Sequence, residues 1–166
     1  MLSDDDIPKN NLVSYLFYKI SKNKDNIFAY SCVEFHRNGI FSNDLSQIAP
    51  TEETGRNFLK NNLLGKRAAF PSATIFQTKD AIAVGGYPDV DNATDFGLLI
   101  LLCLRNNGMV TFSQRPLVEY HDHGENLSYK DVYIDALGKM IQWMKVTLKD
   151  NPNLLKLALN KYKKES

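Results

Sequence analysis

The chain has 166 residues, 43% of them apolar and 23% charged, with a formal net charge of +1. That is enough chain for one domain with a sizeable core, and too little net charge to attract nucleic acid or an anionic membrane. The longest apolar run, residues 96–104, is too short to cross a bilayer.

Three acidic residues, Asp4, Asp5 and Asp6, follow Ser3, a start that does not read as a signal peptide. Pro8 suits the first turn of a helix, and Leu12, Val13, Leu16, Phe17 and Ile20 give that helix an apolar face to about residue 21. A polar loop leads to residues 27–35, which read as a strand. Asn38-Gly39 then signals a hairpin, because both residue types tolerate positive φ, and Ile40 and Phe41 start the return strand. Residues 42–50 are irregular. Residues 51–54 resemble a helix start, continued by Phe58, Leu59, Asn62 and Leu63 and ended by Gly65. Residues 73–77 read as a buried strand, residues 79–84 as one or two helical turns, and Gly85-Gly86 as their stop.

A turn-rich segment with Pro88, Asp89, Asp91 and Asn92 precedes Thr94 and Asp95, which open a helix reaching Arg105 and closed by Asn106-Asn107-Gly108. Residues 109–112 and 117–120 read as two strands separated by Pro116, followed by a polar loop over residues 121–126. Ser128 caps a long helix with Val132, Ile134, Leu137, Ile141, Met144 and Leu148 inward, and Pro152 opens a last amphipathic helix to about Lys163. The order mixes helices and strands without a clean βαβ series, so the fold class is α/β, a mixed sheet with flanking helices. Cys32 and Cys103 lie in apolar segments and read as reduced core residues of a cytoplasmic protein, not as a bridge or a metal site.

Several residues could carry chemistry. Three adjacent carboxylates, Asp4 to Asp6, are uncomfortable without a counter-charge; Mg2+ or Mn2+ would supply one, and so would the dipole of a helix they cap. Asp95 could take a proton from an attacking hydroxyl, or it is an ordinary first-turn carboxylate worth ~1 kcal/mol of helix stability. His121 and His123 flank Asp122, where an imidazole could ligate metal or contact phosphate. A solvent-facing loop is the plainer reading for His121, and a structural role for His36. Arg67 precedes the central strand and could reach an anionic ligand or simply sit at the surface. No phosphate-binding glycine loop and no nucleophile elbow is present.

Read in order, these pieces resemble the later part of a family 2 glycosyltransferase of the GT-A fold, over residues 2–130. Leu2-Ser3-Asp4-Asp5-Asp6-Ile7-Pro8-Lys9-Asn10 is similar to that family's Asp-x-Asp motif with its following Pro and Asn. Phe70-Pro71-Ser72-Ala73-Thr74-Ile75-Phe76 with Gly85-Gly86-Tyr87 resembles the acceptor-side strand and Gly-Gly-aromatic turn. Thr94-Asp95-Phe96, then Leu98, Leu102 and Gly108, stands where the family has Glu-Asp and a helix. Pro116-Leu117 to Tyr120, then His123, Asn126 and Ser128, resembles the Tyr-x-x-His-x-x-Asn-x-Ser ending.

The resemblance implies that Asp4 and Asp6, with Asp5 as an alternative, hold Mn2+ or Mg2+ on a nucleotide-sugar diphosphate with His123 nearby. It implies that Asp95 is the base of an inverting displacement by a carbohydrate or lipid-linked acceptor, in bacterial polysaccharide synthesis. Residues 131–166 would be C-terminal helices packing on this part. Thr94 replaces the family's usual Glu, and the nucleotide-binding half that normally precedes the Asp-x-Asp motif has no counterpart in the chain. The expectation is therefore a partial GT-A fold, inactive in sugar transfer by itself, whose uncovered strand edge and face would favour a homo-oligomer. A binding or assembly module that kept the fold and lost catalysis is the alternative.

Overall fold

The computed structural model describes residues 5–37, 40–43, 49–91, 94–105, 108–122 and 132–162. Its centre is a pair of long parallel strands, β2 (Asn26–Arg37) and β6 (Met109–Asp122). β2 is buried along its first eight residues, which is why that stretch reads as a nearly continuous apolar run, whereas β6 is interrupted by an exposed polar stretch at Gln114 and Arg115. Four short strands flank the pair antiparallel: β1 (Ile7–Pro8) and β4 (Glu52–Thr54) on the edge of β6, β3 (Ile40–Asn43) and β5 (Thr74–Phe76) on the edge of β2. The protein is thus mixed α/β with a curled mixed sheet. The crossover from β2 to β6 carries three short strands of its own, and this hides the parallel pairing from a linear reading.

Side-chain alternation divides the core in two. Phe28, Tyr30, Cys32, Val110 and Phe112 face helices α2 (Gly55–Leu63), α4 (Thr94–Leu104), α5 (Val132–Thr147) and α6 (Pro152–Tyr162). Phe58 of α2 meets Phe28 and Tyr30 edge-on, at centroid distances of 5.1 and 5.2 Å. α4 is buried on most sides, which explains its apolar sequence. On the other face, Ala29, Val33, Leu117 and Val118 pack on Leu12, Leu16 and Ile20 of α1 (Leu12–Ser21). Cys32 and Cys103 are buried in the core, as read, and burial raises the Cys103 thiol well above the ordinary range. No helix among the described residues is long and apolar enough to cross a membrane.

Several local expectations are corrected. Pro8 lies in β1 opposite Val118, not in a helix; an edge strand tolerates its missing N–H. Val13 and Phe17, expected inward with Leu12, are exposed, because among the described residues only one helix covers that face and a single ridge at four-residue spacing meets the sheet. Residues 52–54 pair with β6 as a strand, and only Thr54 serves the following helix, its Oγ1 accepting from the Asn57 N–H at 3.3 Å. The strand at 73–77 is shorter than read: a 3₁₀ turn over Pro71–Ala73 precedes β5. Pro116 does not divide two strands. Between Ser31 opposite Ser113 and Val33 opposite Val118, β2 advances two residues and β6 five, so Pro116 sits in a bulge where no ladder N–H is required.

Other expectations are met. The antiparallel pairing places Arg37 opposite Ile40, as a two-residue hairpin requires, although Asn38-Gly39 itself lies outside the described residues. So do Asn106, Asn107, Asn126, Ser128 and the side chains of Val132 and Ile134. Gly85 and Gly86 take φ of 90° and 78° after α3 (Thr78–Ala83), their N–H groups bonding Ile82 and Ala81 carbonyls in a Schellman closure.

Candidate active site

The Gly-Gly turn sets the geometry of the candidate site. It reverses the chain after α3 and carries Tyr87 back over the first turn of α4, where Asp95 stands. Asp95 Oδ1 accepts from the Phe96 N–H at 2.8 Å. Burial pushes the Asp95 carboxyl pKa up, and the backbone N–H groups of Phe96 and Asp95 itself only partly offset it. Tyr87 is also pushed up, chiefly by burial and then by the Asp95 charge, so the two groups feel each other. Both line an open hollow of about 300 Å³ with Pro71, Thr74, Phe76, Leu98 and Leu99. Its enclosed part has room for about one water, so a larger ligand would lie across its mouth. An apolar hollow with one carboxylate of raised proton affinity is a fitting place for a general base.

Asp6 approaches the same segment from another direction. It is 9% exposed, and the Ser72 hydroxyl donates to its Oδ2. Pro71 and Thr74, either side of Ser72, line the Asp95 hollow. Asp6 itself is not among the residues that line the hollow; it meets this segment through Ser72. One Asp6 oxygen is committed to Ser72; Asp5, at a bend before β1, is half-exposed. Carboxylate oxygens of this kind suit a hard divalent cation. Asp4 and His123 lie outside the described residues.

Other candidates have structural explanations. Arg67, read as a possible anion contact or a surface residue, is neither: its Nε donates to Glu53 Oε1 at 2.9 Å, with side chains 10% and 7% exposed. Glu53 Oε2 accepts from Asn61 as well. Asp91 is a turn residue, as expected, with φ of 51° and an ion pair to Lys139 at 2.6 Å.

His121 is not in a loop. It lies next to the last residue of β6, with its ring stacked on that of His36 at 4.7 Å and 20°. His36 Nε2 lies 3.7 Å from Glu119 Oε2, and ligand atoms of His36, Glu119 and His121 all fall within 4.8 Å of one another. The sequence did contain a signal for this cluster. Glu34-Phe35-His36 and Glu119-Tyr120-His121 repeat the same Glu-aromatic-His triplet, and period-two alternation puts Glu and His of each on one face. What the sequence lacked was the register that sets the triplets side by side. No family model and no curated protein matches the chain.

Proposed function

We propose that this chain forms the acceptor- and metal-binding part of an inverting, family 2-like glycosyltransferase with a partial GT-A fold. Its substrates would be a nucleotide-sugar and the hydroxyl of a carbohydrate or lipid-linked acceptor. The observation that carries the reading is the pairing of β1 with β6, Ile7 opposite Glu119 and Pro8 opposite Val118. The acidic segment and the strand leading into the Tyr120 motif are more than a hundred residues apart in sequence, and this pairing makes them neighbours. Asp95, which lines one hollow with Pro71, would supply the base.

In this reading the acceptor hydroxyl rests at the mouth of the apolar hollow and gives its proton to Asp95. The raised proton affinity of that carboxyl makes it a better base than an exposed aspartate. Tyr87, from the Gly-Gly turn, covers the hollow and orients the acceptor. Asp4, Asp5 and Asp6 would hold the cation. Mn2+ or Mg2+ bound there would grip the diphosphate and neutralise its charge on departure.

The test is Mn2+ binding to the full chain, followed by the electron spin resonance of free Mn2+, with and without uridine diphosphate. Binding that tightens with the nucleotide and is lost in Asp5→Asn and Asp6→Asn variants is the expected result. Binding indifferent to the nucleotide would sink the proposal.

A further inference from the structure

The geometry points to a second, independent site: a transition-metal centre at His36, Glu119 and His121, suited to Zn2+ and its neighbours Co2+ and Ni2+. It does not depend on the sugar-transfer reading, and it uses none of the residues assigned there.

The site is built by matched strands. Register pairs Glu34 with Glu119, Phe35 with Tyr120, His36 with His121 and Arg37 with Asp122. Alternation sends Phe35 and Tyr120 to the α1 side, where their rings meet at 5.3 Å. The glutamates and histidines therefore share the opposite face. Arg37 and Asp122 close the end of the strand pair with an ion pair at 2.6 Å. Lys9 Nζ bonds Glu34 at 2.9 Å, which leaves Glu119 as the carboxylate beside the two imidazoles. His36 and Glu119 side chains are 14% and 32% exposed, so the cluster is held by the sheet yet open to an arriving ion.

The donor set decides the metal. Two imidazoles and one carboxylate form a three-ligand set of the kind that holds zinc with a further position open to water or an anion. Imidazole nitrogen favours Zn2+, Co2+ and Ni2+, whereas Mg2+ and Mn2+ prefer an all-oxygen shell. Bond lengths near 2 Å place tetrahedral ligand atoms roughly 3.3 Å apart, against separations of up to 4.8 Å here. Loading must draw the donors together and tilt the two stacked rings, since parallel rings aim their lone pairs side by side rather than at one point.

The experiment uses the full chain, stripped with a chelator and free of nucleotide. Co2+ is added while its visible absorption is followed, and Zn2+ is measured by competition with a chromophoric chelator. One metal per chain is expected, with affinity lowered at least about tenfold in each of His36→Gln, Glu119→Gln and His121→Gln. Because such variants could also perturb folding, imidazole NMR of the unaltered chain gives a second readout. Zn2+ should shift the signals of His36 and His121 and leave that of His123, the third histidine, in place. Absence of binding, full affinity in the histidine variants, or a shift confined to His123 would each overturn the assignment.

Discussion

Replacing Gly97 with alanine tests the packing that holds Tyr87 over Asp95. Gly97 lies in the buried first half of α4, and a Cβ built there would stand 2.4 Å from Pro88 Cγ, 3.3 Å from Pro88 Cδ and 3.4 Å from Val90 Cγ2. Carbon atoms prefer a separation of about 3.5–4.0 Å, so roughly 1 Å must be found. A proline ring cannot rotate out of the way, so either the Tyr87–Pro88 turn lifts or α4 retreats. Over-packing of this kind costs about 1–3 kcal/mol, offset by about 0.8–1 kcal/mol from the better helix propensity of alanine. Gly138→Ala is the control. That glycine is exposed in the interior of α5, and its Cβ would meet nothing within 4 Å, so only the propensity gain remains. The two variants should differ by about 1–3 kcal/mol, or roughly 2–12 °C in melting temperature for a chain of this size. Paired thermal melts in one buffer measure this. If Gly97→Ala raises the melting temperature as much as Gly138→Ala does, the close approach of Pro88 to α4 is wrong, and so is the support it gives the site.

Asp95→Asn should raise the melting temperature at neutral pH and lose that advantage in acid. Burial raises the folded-state pKa of Asp95, so its favourable contribution is present below the ordinary carboxylate range and lost as pH rises through the folded value. Asparagine keeps an oxygen for the Phe96 N–H without the charge; melts showing an equal gain at both pH values would contradict this account. Glu53→Ala should cost about 3–5 kcal/mol in urea unfolding, since it strands the buried Arg67 charge. Lys139→Ala, which removes the partner of Asp91 from a pair whose side chains are 64% and 38% exposed, should cost no more than about 1 kcal/mol; similar losses in the two variants would refute the contrast.

Features set by a few neighbouring residues were legible in the chain itself. The Gly85-Gly86 stop, the hairpin spacing around Asn38-Gly39, the apolar α4 and the strand at residues 27–35, which the structure extends to 26–37, all follow from local φ preference or periodicity. Asp95 in the first turn of its helix was legible for the same reason. Lateral pairing was not. Pro116 looked like a break because its neighbours supply no hint of the bulge that accommodates it, and residues 52–54 looked helical until β6 offered them an edge.

The same division holds for the candidate sites. Sequence singled out Asp6 and Asp95 but could not place Ser72 against the first or bring Pro71 to the hollow that the second lines. It showed Glu-aromatic-His twice without showing that the copies lie side by side, and it left Arg67 without the Glu53 that claims it. Backbone preference acts over a turn or two and is written in adjacent residues. Strand register is chosen by the whole sheet at once, from partners some eighty residues apart, and that choice brings His36, Glu119 and His121 together.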